Sequence, residues 1–271
     1  MNFSVLMSVY VREKPHHLEQ ALDSLLAQTV QPSEVVIVED GPLTEALHAV
    51  IAAFKQRFPT TVSVVLPRNL GLGLALNHGL KQCRFPIIAR MDSDDIAMPL
   101  RFEKQLAVLQ NHEEIDFVGS WIDEFFGSTD NVISVRKVPE KQQDILHFAH
   151  YRNPMNHPTV MFRKAVVEAV HGYCDVQFFE DYDLWARALQ AGCCFYNMQE
   201  SLLWFRLTDE SFRRRGGISY IKAEIRFQKR LYRSGFINLF TFLKNVMLRL
   251  IVRLLPNRMR RFIYVLSIRN N

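Results

Sequence analysis

After Ile225 the chain contains no aspartate and no glutamate. The 46 residues that follow carry 11 Lys/Arg. The residues up to Ile225 hold 22 basic and 28 acidic side chains, a net of −6 within an overall +5. A cationic tail on a mildly acidic body points to an anionic surface as a partner. Cysteine is scarce too. Cys83, Cys174, Cys193 and Cys194 form no zinc or redox spacing, and adjacent Cys193 and Cys194 do not suit a mutual disulfide. Free thiols in a reducing cytosol are expected. No apolar run approaches the roughly 18 residues of a membrane span. The opening MNFSVLMSVY lacks a basic stretch and a small-residue cleavage site, and reads as a strand, not a signal peptide. Internal repeats, low-complexity segments and clear linkers are also missing.

What is present is material for a core. The chain has 271 residues, 48% of them apolar, enough for one large domain or one domain with an appendage. The first 120 residues alternate between two periods. Short apolar runs at Phe3–Met7, Val35–Val38, Val62–Leu66 and Phe85–Met91 read as strands. Between them lie helical stripes: Leu18, Ala21, Leu22, Leu25 and Leu26; then Leu47, Val50, Ile51 and Phe54; then residues 73–82. Phe102, Leu106 and Leu109 mark a fourth helix, with Pro99 near its start. This alternation predicts an α/β, Rossmann-like, mainly parallel sheet flanked by helices. Beyond Gly119 the pattern loosens into strand-like pieces (117–126, 131–138, 158–162) and helices near 163–171 and 181–191, the second ending at Gly192. From about 218 the chain is helical and basic. The expected division is a catalytic unit over 1–217, split near 120, and a helical extension over 218–271.

Ligands of an open parallel sheet bind beyond the carboxyl ends of its strands. Ser8-Val9-Tyr10, Glu39-Asp40-Gly41-Pro42 and Asp92-Ser93-Asp94-Asp95 each follow a strand, so they should meet at one edge. Close carboxylates suit a hard divalent cation such as Mg²⁺ or Mn²⁺. The spacing Asp92-x-Asp94 can aim two side chains at one point. An Asx turn leading to a helix cap would use the same residues, but three polar strand ends at one edge favour the cation. Asp95 is assigned a structural role, as a cap for the following helix. The stretch 71-GLGLALNHG-79 is not a dinucleotide loop. Leu76 stands where the third glycine belongs, and the loop follows the third strand. Its glycines let the backbone pass close to a neighbour or ligand.

Two further groups stay open on residues alone. Glu180 and Asp181 begin a helix, where acidic residues are favoured by the dipole; either could also deprotonate an attacking hydroxyl. His157, in 153-NPMNHPTVMF-162, fits a metal ligand, a substrate contact or a plain strand-entry residue. Trp185 and Trp204 read as core. In the tail, Phe240, Leu243, Met247, Leu250, Ile251 and Leu254 share one helical face, with Lys244, Arg249, Arg253 and Arg258 adding charge. Such a helix can lie in an anionic leaflet without crossing it, or pack on the catalytic unit. No motif supports nucleic acid as a partner.

Taken together, SVLMSVY, SLLAQT, VVIVEDG, RNLGLGLALNHGL, ARMDSDDI and EDYDLWARAL resemble glycosyltransferase family 2 over about residues 3–215, particularly bacterial exopolysaccharide and O-antigen enzymes of the amylovoran type. The resemblance implies a GT-A-type fold, a UDP-sugar donor, Mn²⁺ or Mg²⁺, and inversion at the anomeric carbon. It implies that Ser8, Val9 and Tyr10 line the nucleoside pocket and that Asp40 bonds the uracil edge. Arg68 and Asn69 approach base and ribose, Asp92 faces the ribose side, and Asp94 binds the metal. Asp181 matches the catalytic base, with Glu180 beside it near the acceptor. Many relatives carry a metal-binding His after the last core strand. Here Thr208 stands in its place, which leaves His157 as the candidate replacement. Arg213, Arg214 and Arg215 suit a donor or acceptor diphosphate, or a solvated loop.

The expected activity is transfer of galactose or glucose to a polyprenyl-diphosphate-linked sugar, forming a β-linkage, by a peripheral protein on the cytoplasmic face of the bacterial inner membrane. A sugar nucleotidylyltransferase would need a Gly-rich loop after the first strand, and SVYVREKP has no glycine. A non-catalytic membrane-binding scaffold would not need Asp40, Asp92, Asp94 and Asp181 together.

Overall fold

The computed structural model describes residues 1–208 and 218–254; for 218 and 251–254 it describes the backbone only. The first half follows the expected alternation: β1 (Phe3–Val9), α1 (Pro15–Leu26), β2 (Glu34–Glu39), α2 (Glu45–Arg57), β3 (Thr61–Val65), α3 (Leu72–Gln82), β4 (Ile87–Asp92) and α4 (Arg101–Asn111). A two-residue strand, β5 (Ile96–Ala97), lies between β4 and α4. The second half holds β6 (Phe117–Phe125), β7 (Val132–Arg136), α5 (Gln142–Ala149), a 3-10 turn (His157–Thr159), β8 (Met161–Arg163), α6 (Lys164–Ala169), α7 (Glu180–Gln190) and β9 (Phe195–Arg206). The expected strand at 158–162 is therefore mostly the turn plus a shorter β8. Sequence periodicity had not singled out α5 or β9.

The strands form one sheet in the order β3-β2-β1-β4-β8-β6-β9-β5, with β7 beside β6. Strands β3, β2, β1 and β4 run parallel. β8 is antiparallel to both β4 and β6, and this reversal joins the two halves. In β2, Val35 and Ile37 enter the core beneath α1, α2 and α4, while Val36 and Val38 enter the core beneath α3 and α7. A strand buried on both faces reads as a continuous apolar run. α3 approaches closely: a Cβ on Gly79 would meet Leu6 Cδ1 at 2.4 Å and Val38 Cγ2 at 2.5 Å.

The extension comprises α8 (Ile218–Arg233) and α9 (Leu239–Leu254). Its first helix is not an appendage. Tyr220, Ala223, Phe227 and Leu231 of α8 join the core around α7, and Phe227 stacks on Phe179 at 4.7 Å. The boundary expected at 217/218 therefore does not divide the packing. α9 is turned the opposite way from an ordinary surface helix. Thr241 and Asn245 are buried, whereas Leu239, Phe240, Leu243, Met247 and Leu248 are exposed. Asn245 donates to His150 O at 2.9 Å and to Gln228 Oε1 at 3.0 Å, and Arg249 donates to Tyr151 O at 2.6 Å. These bonds, together with Phe242 packed against the core, fasten the inward side of the helix.

Candidate active site

The sheet register brings the strand ends together. Ser8 lies opposite Val38 on one side and Asp92 on the other, and Val9 lies opposite Glu39. Ser8, Val9, Tyr10, Asp40 and Asp92 thus share one edge. Asp40 is only 4% exposed and is committed to the next loop. It accepts hydrogen bonds from Asn69 Nδ2 at 2.9 Å, Leu70 N at 2.7 Å and Gly71 N at 3.2 Å. Its carboxylate therefore shapes the segment carrying exposed Arg68 and Asn69. Gly41 makes this possible: its φ is +88°, and a Cβ there would lie 2.6 Å from Asn69 N.

Asp92 ends β4, and Asp94 and Asp95 follow. Each offers a carboxylate oxygen within 4.8 Å of the others. Asp92 is ion-paired to Arg90, whose side chain is 1% exposed. Asp95 is fully buried. Burial, then Asp94 and Asp92, holds its carboxyl well above the usual range. Asp95 does not cap the next helix: α4 starts behind Leu100 with no side-chain cap. Its Oδ1 instead accepts from Arg206 N at 2.9 Å, tying the turn to β9, while Oδ2 has no hydrogen-bond partner among the described residues. Three converging carboxylates, one with an orphaned buried oxygen, fit a hard divalent cation.

Across the site, Glu180 and Asp181 occupy the first turn of α7. A Cβ on Gly73 would lie 3.0 Å from Glu180 Cβ, so the glycine admits close approach of α3 to this turn. Asp181 Oδ2 accepts from Asn153 Nδ2 at 2.6 Å, and Oδ1 from Tyr182 N at 2.7 Å. Burial, then the Asp181 charge, pushes Glu180 up to about 7. Burial also raises Asp181, against the opposing hydrogen bonds and the Arg90 charge. Asp183, two residues on, faces away and pairs with Arg187 at 2.8 Å and with Arg230. One acidic turn thus divides into a site-facing pair and a structural ion pair.

The glycosyl transferase family 2 pattern matches residues 4–169. The chain belongs to that family. A UDP-Gal:alpha-D-GlcNAc-diphosphoundecaprenol beta-1,3-galactosyltransferase of Escherichia coli is 40% identical over 268 residues, covering 98% of this chain and 96% of that protein. The amylovoran biosynthesis glycosyltransferase AmsE of Erwinia amylovora is 38% identical over 265 residues, covering 97% of each. The crystal structure of S. aureus TarS 1-349 in complex with UDP-GlcNAc superposes with a TM-score of 0.67 at 17% identity, covering 92% of this chain and 72% of that one. That likeness concerns the fold, which is the GT-A-type arrangement expected.

Not every expected residue of this family 2 glycosyltransferase joins the cluster. Among the described residues, His157 is not grouped with the converging carboxylates. Its Nε2 meets Tyr173 Oη at 2.9 Å, and its ring packs against Trp185. Burial, and then Arg90, holds it well below its ordinary pKa, so it is neutral. Arg213, Arg214 and Arg215 lie outside the described residues. Two residues of this glycosyltransferase escaped sequence reasoning. Arg90 is a charge inside an apolar strand, a signal visible in IIARMD. Asn153 opens the polar run NPMNHPT before a buried strand, but only the fold brings it to Asp181.

Proposed function

We propose that this glycosyltransferase moves galactose or glucose from a UDP-sugar to a sugar carried on a polyprenyl diphosphate, with inversion to a β-linkage. The carrying observation is that Asp92, at the end of β4, lies close enough to the Glu180–Asp181 turn to act on Glu180, with Arg90 acting on all three carboxylates. Likeness over nearly the whole chain to a galactosyltransferase named for a diphosphoundecaprenol-linked acceptor supports the substrate classes and a place in O-antigen or exopolysaccharide repeat-unit synthesis.

Ser8, Val9, Tyr10, Asp40, Arg68 and Asn69 form the nucleoside end of the donor site. Asp94, with Asp92, would hold Mn²⁺ or Mg²⁺. When bound, that ion supplies positive charge to the departing diphosphate. Asp181 takes the proton of the acceptor hydroxyl. The acceptor oxygen then bonds the anomeric carbon from the face opposite the diphosphate. The bond from that carbon to the β-phosphate oxygen breaks, and UDP leaves with its electron pair. A single displacement inverts the centre. The run Arg213–Arg215 has the chemistry to meet a donor or acceptor diphosphate.

A lipid-linked acceptor places the enzyme at a membrane. Among the described residues no helix is long and apolar enough to cross one. The outward face of α9 supports peripheral attachment at the cytoplasmic face of the bacterial inner membrane. Its exposed Leu239, Phe240, Leu243 and Met247 are apolar, and the chain around them is exclusively basic. The test is a panel of UDP-sugars with a synthetic GlcNAc-diphosphate-lipid and determination of the product linkage. A β-linked hexose is expected; an α-linked product, or free UDP-sugar with no turnover across the panel, overturns the reading.

A further inference from the structure

Glu180 and Asp181 stand side by side at the start of α7, and either carboxylate has the chemistry to take a proton. We propose that Asn153 is the positioning residue that makes Asp181 the base. The inference rests on the proposed transferase reaction, and it explains a choice that adjacency leaves open.

The two carboxyls differ in their donors. Asp181 receives one on each oxygen, the Asn153 amide at 2.6 Å and Tyr182 N at 2.7 Å. Glu180 is supported by its own backbone N–H. Donors to a carboxylate favour its ionised form, which is the form a base needs. They also fix the direction of the oxygen lone pairs, and proton transfer depends on that direction.

Asn153 is itself held in place. Its Oδ1 accepts from Met155 N at 3.3 Å, which turns Nδ2 toward Asp181. Pro154 follows and restricts Asn153 to extended backbone. The next residues are tied to three other parts of the fold. Pro154 O accepts from Asn197 Nδ2 on β9 at 3.1 Å. Asn156 Nδ2 donates to Ser120 O on β6 at 2.9 Å. His157 meets Tyr173 in the loop before α7. A donor on such a platform does not depend on a bound substrate for its position.

Several charged and titratable groups among the described residues face Asp181. Glu180 and Tyr182 come from its own helix, Arg90 from β4 and Tyr173 from the preceding loop. Asp92 acts on the pair through Glu180, and Asp183 is turned away toward Arg187 and Arg230. Arg90 acts on both carboxyls in the same direction, so it does not distinguish them. Of the two carboxyls, it is Asp181 that the Asn153 amide bonds.

The test compares Asn153→Ala and the near-isosteric Asn153→Asp with the full-length wild type. The readouts are the pH profile of kcat and the KM for the UDP-sugar. Loss of the donor leaves Asp181 protonated to higher pH. The acid limb of kcat should move upward in Asn153→Ala, with a fall of roughly tenfold to a hundredfold on the acid side, recovery at alkaline pH and unchanged KM. Asn153→Asp sets two carboxylates together and should move the limb at least as far. An acid limb at its wild-type position in both variants overturns the proposal, as does an equal loss of kcat at every pH. Asp181→Asn separates the layers. If that variant turns over normally, the base assignment itself has failed; if it is inactive while both Asn153 variants keep the wild-type limb, only the role of Asn153 has.

Discussion

Arg90 forms an ion pair with Asp92 from a position almost wholly inside the protein. Among the described residues its Nε and Nη1 have no hydrogen-bond partner, and its Nη2 pairs with Asp92. Its field also lowers the pKa of Glu180 and Asp181, against the burial that raises both. Arg90→Met removes that charge, and both carboxyls then keep their protons to higher pH. The acid limb of kcat should move upward, with a fall at neutral pH of about tenfold for each unit of displacement. A pH-rate profile checks this, and an unmoved limb would falsify it.

Asp181→Asn keeps the shape of the side chain and removes the proposed base. Transfer should fall by roughly a hundredfold to ten-thousandfold, while UDP binding by calorimetry stays close to wild type. Normal turnover would remove Asp181 from the mechanism.

The raised Glu180 carboxyl makes stability depend on pH. Its pKa rises from 4.5 to about 7 on folding, so the folded state holds the proton more tightly than the unfolded chain. The resulting stabilisation is complete below the unfolded value and is lost as pH rises through about 7. Glu180→Gln should therefore melt at a higher temperature than wild type at pH about 8, and the difference should shrink toward pH about 5. Melting curves that differ equally at both pH values would refute the linkage.

Asp94→Ala withdraws a carboxylate from the cluster of three. Donor binding should lose its dependence on Mn²⁺, and chelator treatment should weaken donor binding in wild type but not in the variant. A titration with Mn²⁺ identical to wild type would count against a metal at this position.

Membrane attachment is best tested on the outer face of α9, not by truncation. Cutting at 236 would strip Phe236 and Ile237 from the core and remove Asn245 from its bonds to His150 and Gln228. The triple change Phe240→Ser, Leu243→Ser and Met247→Ser touches only exposed positions. It should release the protein from anionic vesicles with little change in melting temperature. Undiminished co-sedimentation would place the lipid contact elsewhere.

The first half of the chain was legible because its signals are local. Val35–Val38 is apolar at every position, as a strand covered on both faces must be, and each acidic strand end follows directly from the sheet rule. The second half was less legible. β9 owes its place to pairing with β6 and β5, partners far away in the chain, and its mixed polar pattern announces neither. His157 shows the limit from the other side. Its polar neighbours suggested a ligand, but burial against Trp185 and the bond to Tyr173 make it part of the scaffold.

By itself the sequence determined the alternating α/β plan, the acidic strand ends and the family, because these depend on periodicity and on residues adjacent in the chain. Tertiary structure alone decided which partners each carboxylate has. Asp181 is set apart from Glu180 by an amide 28 residues away, Asp183 is claimed by Arg230 of α8, and Asp95 is drawn from the helix cap to the backbone of Arg206. The physical reason is the same in each case. A carboxylate's charge state and direction depend on which donors and charges surround it, and folding brings those from distant segments.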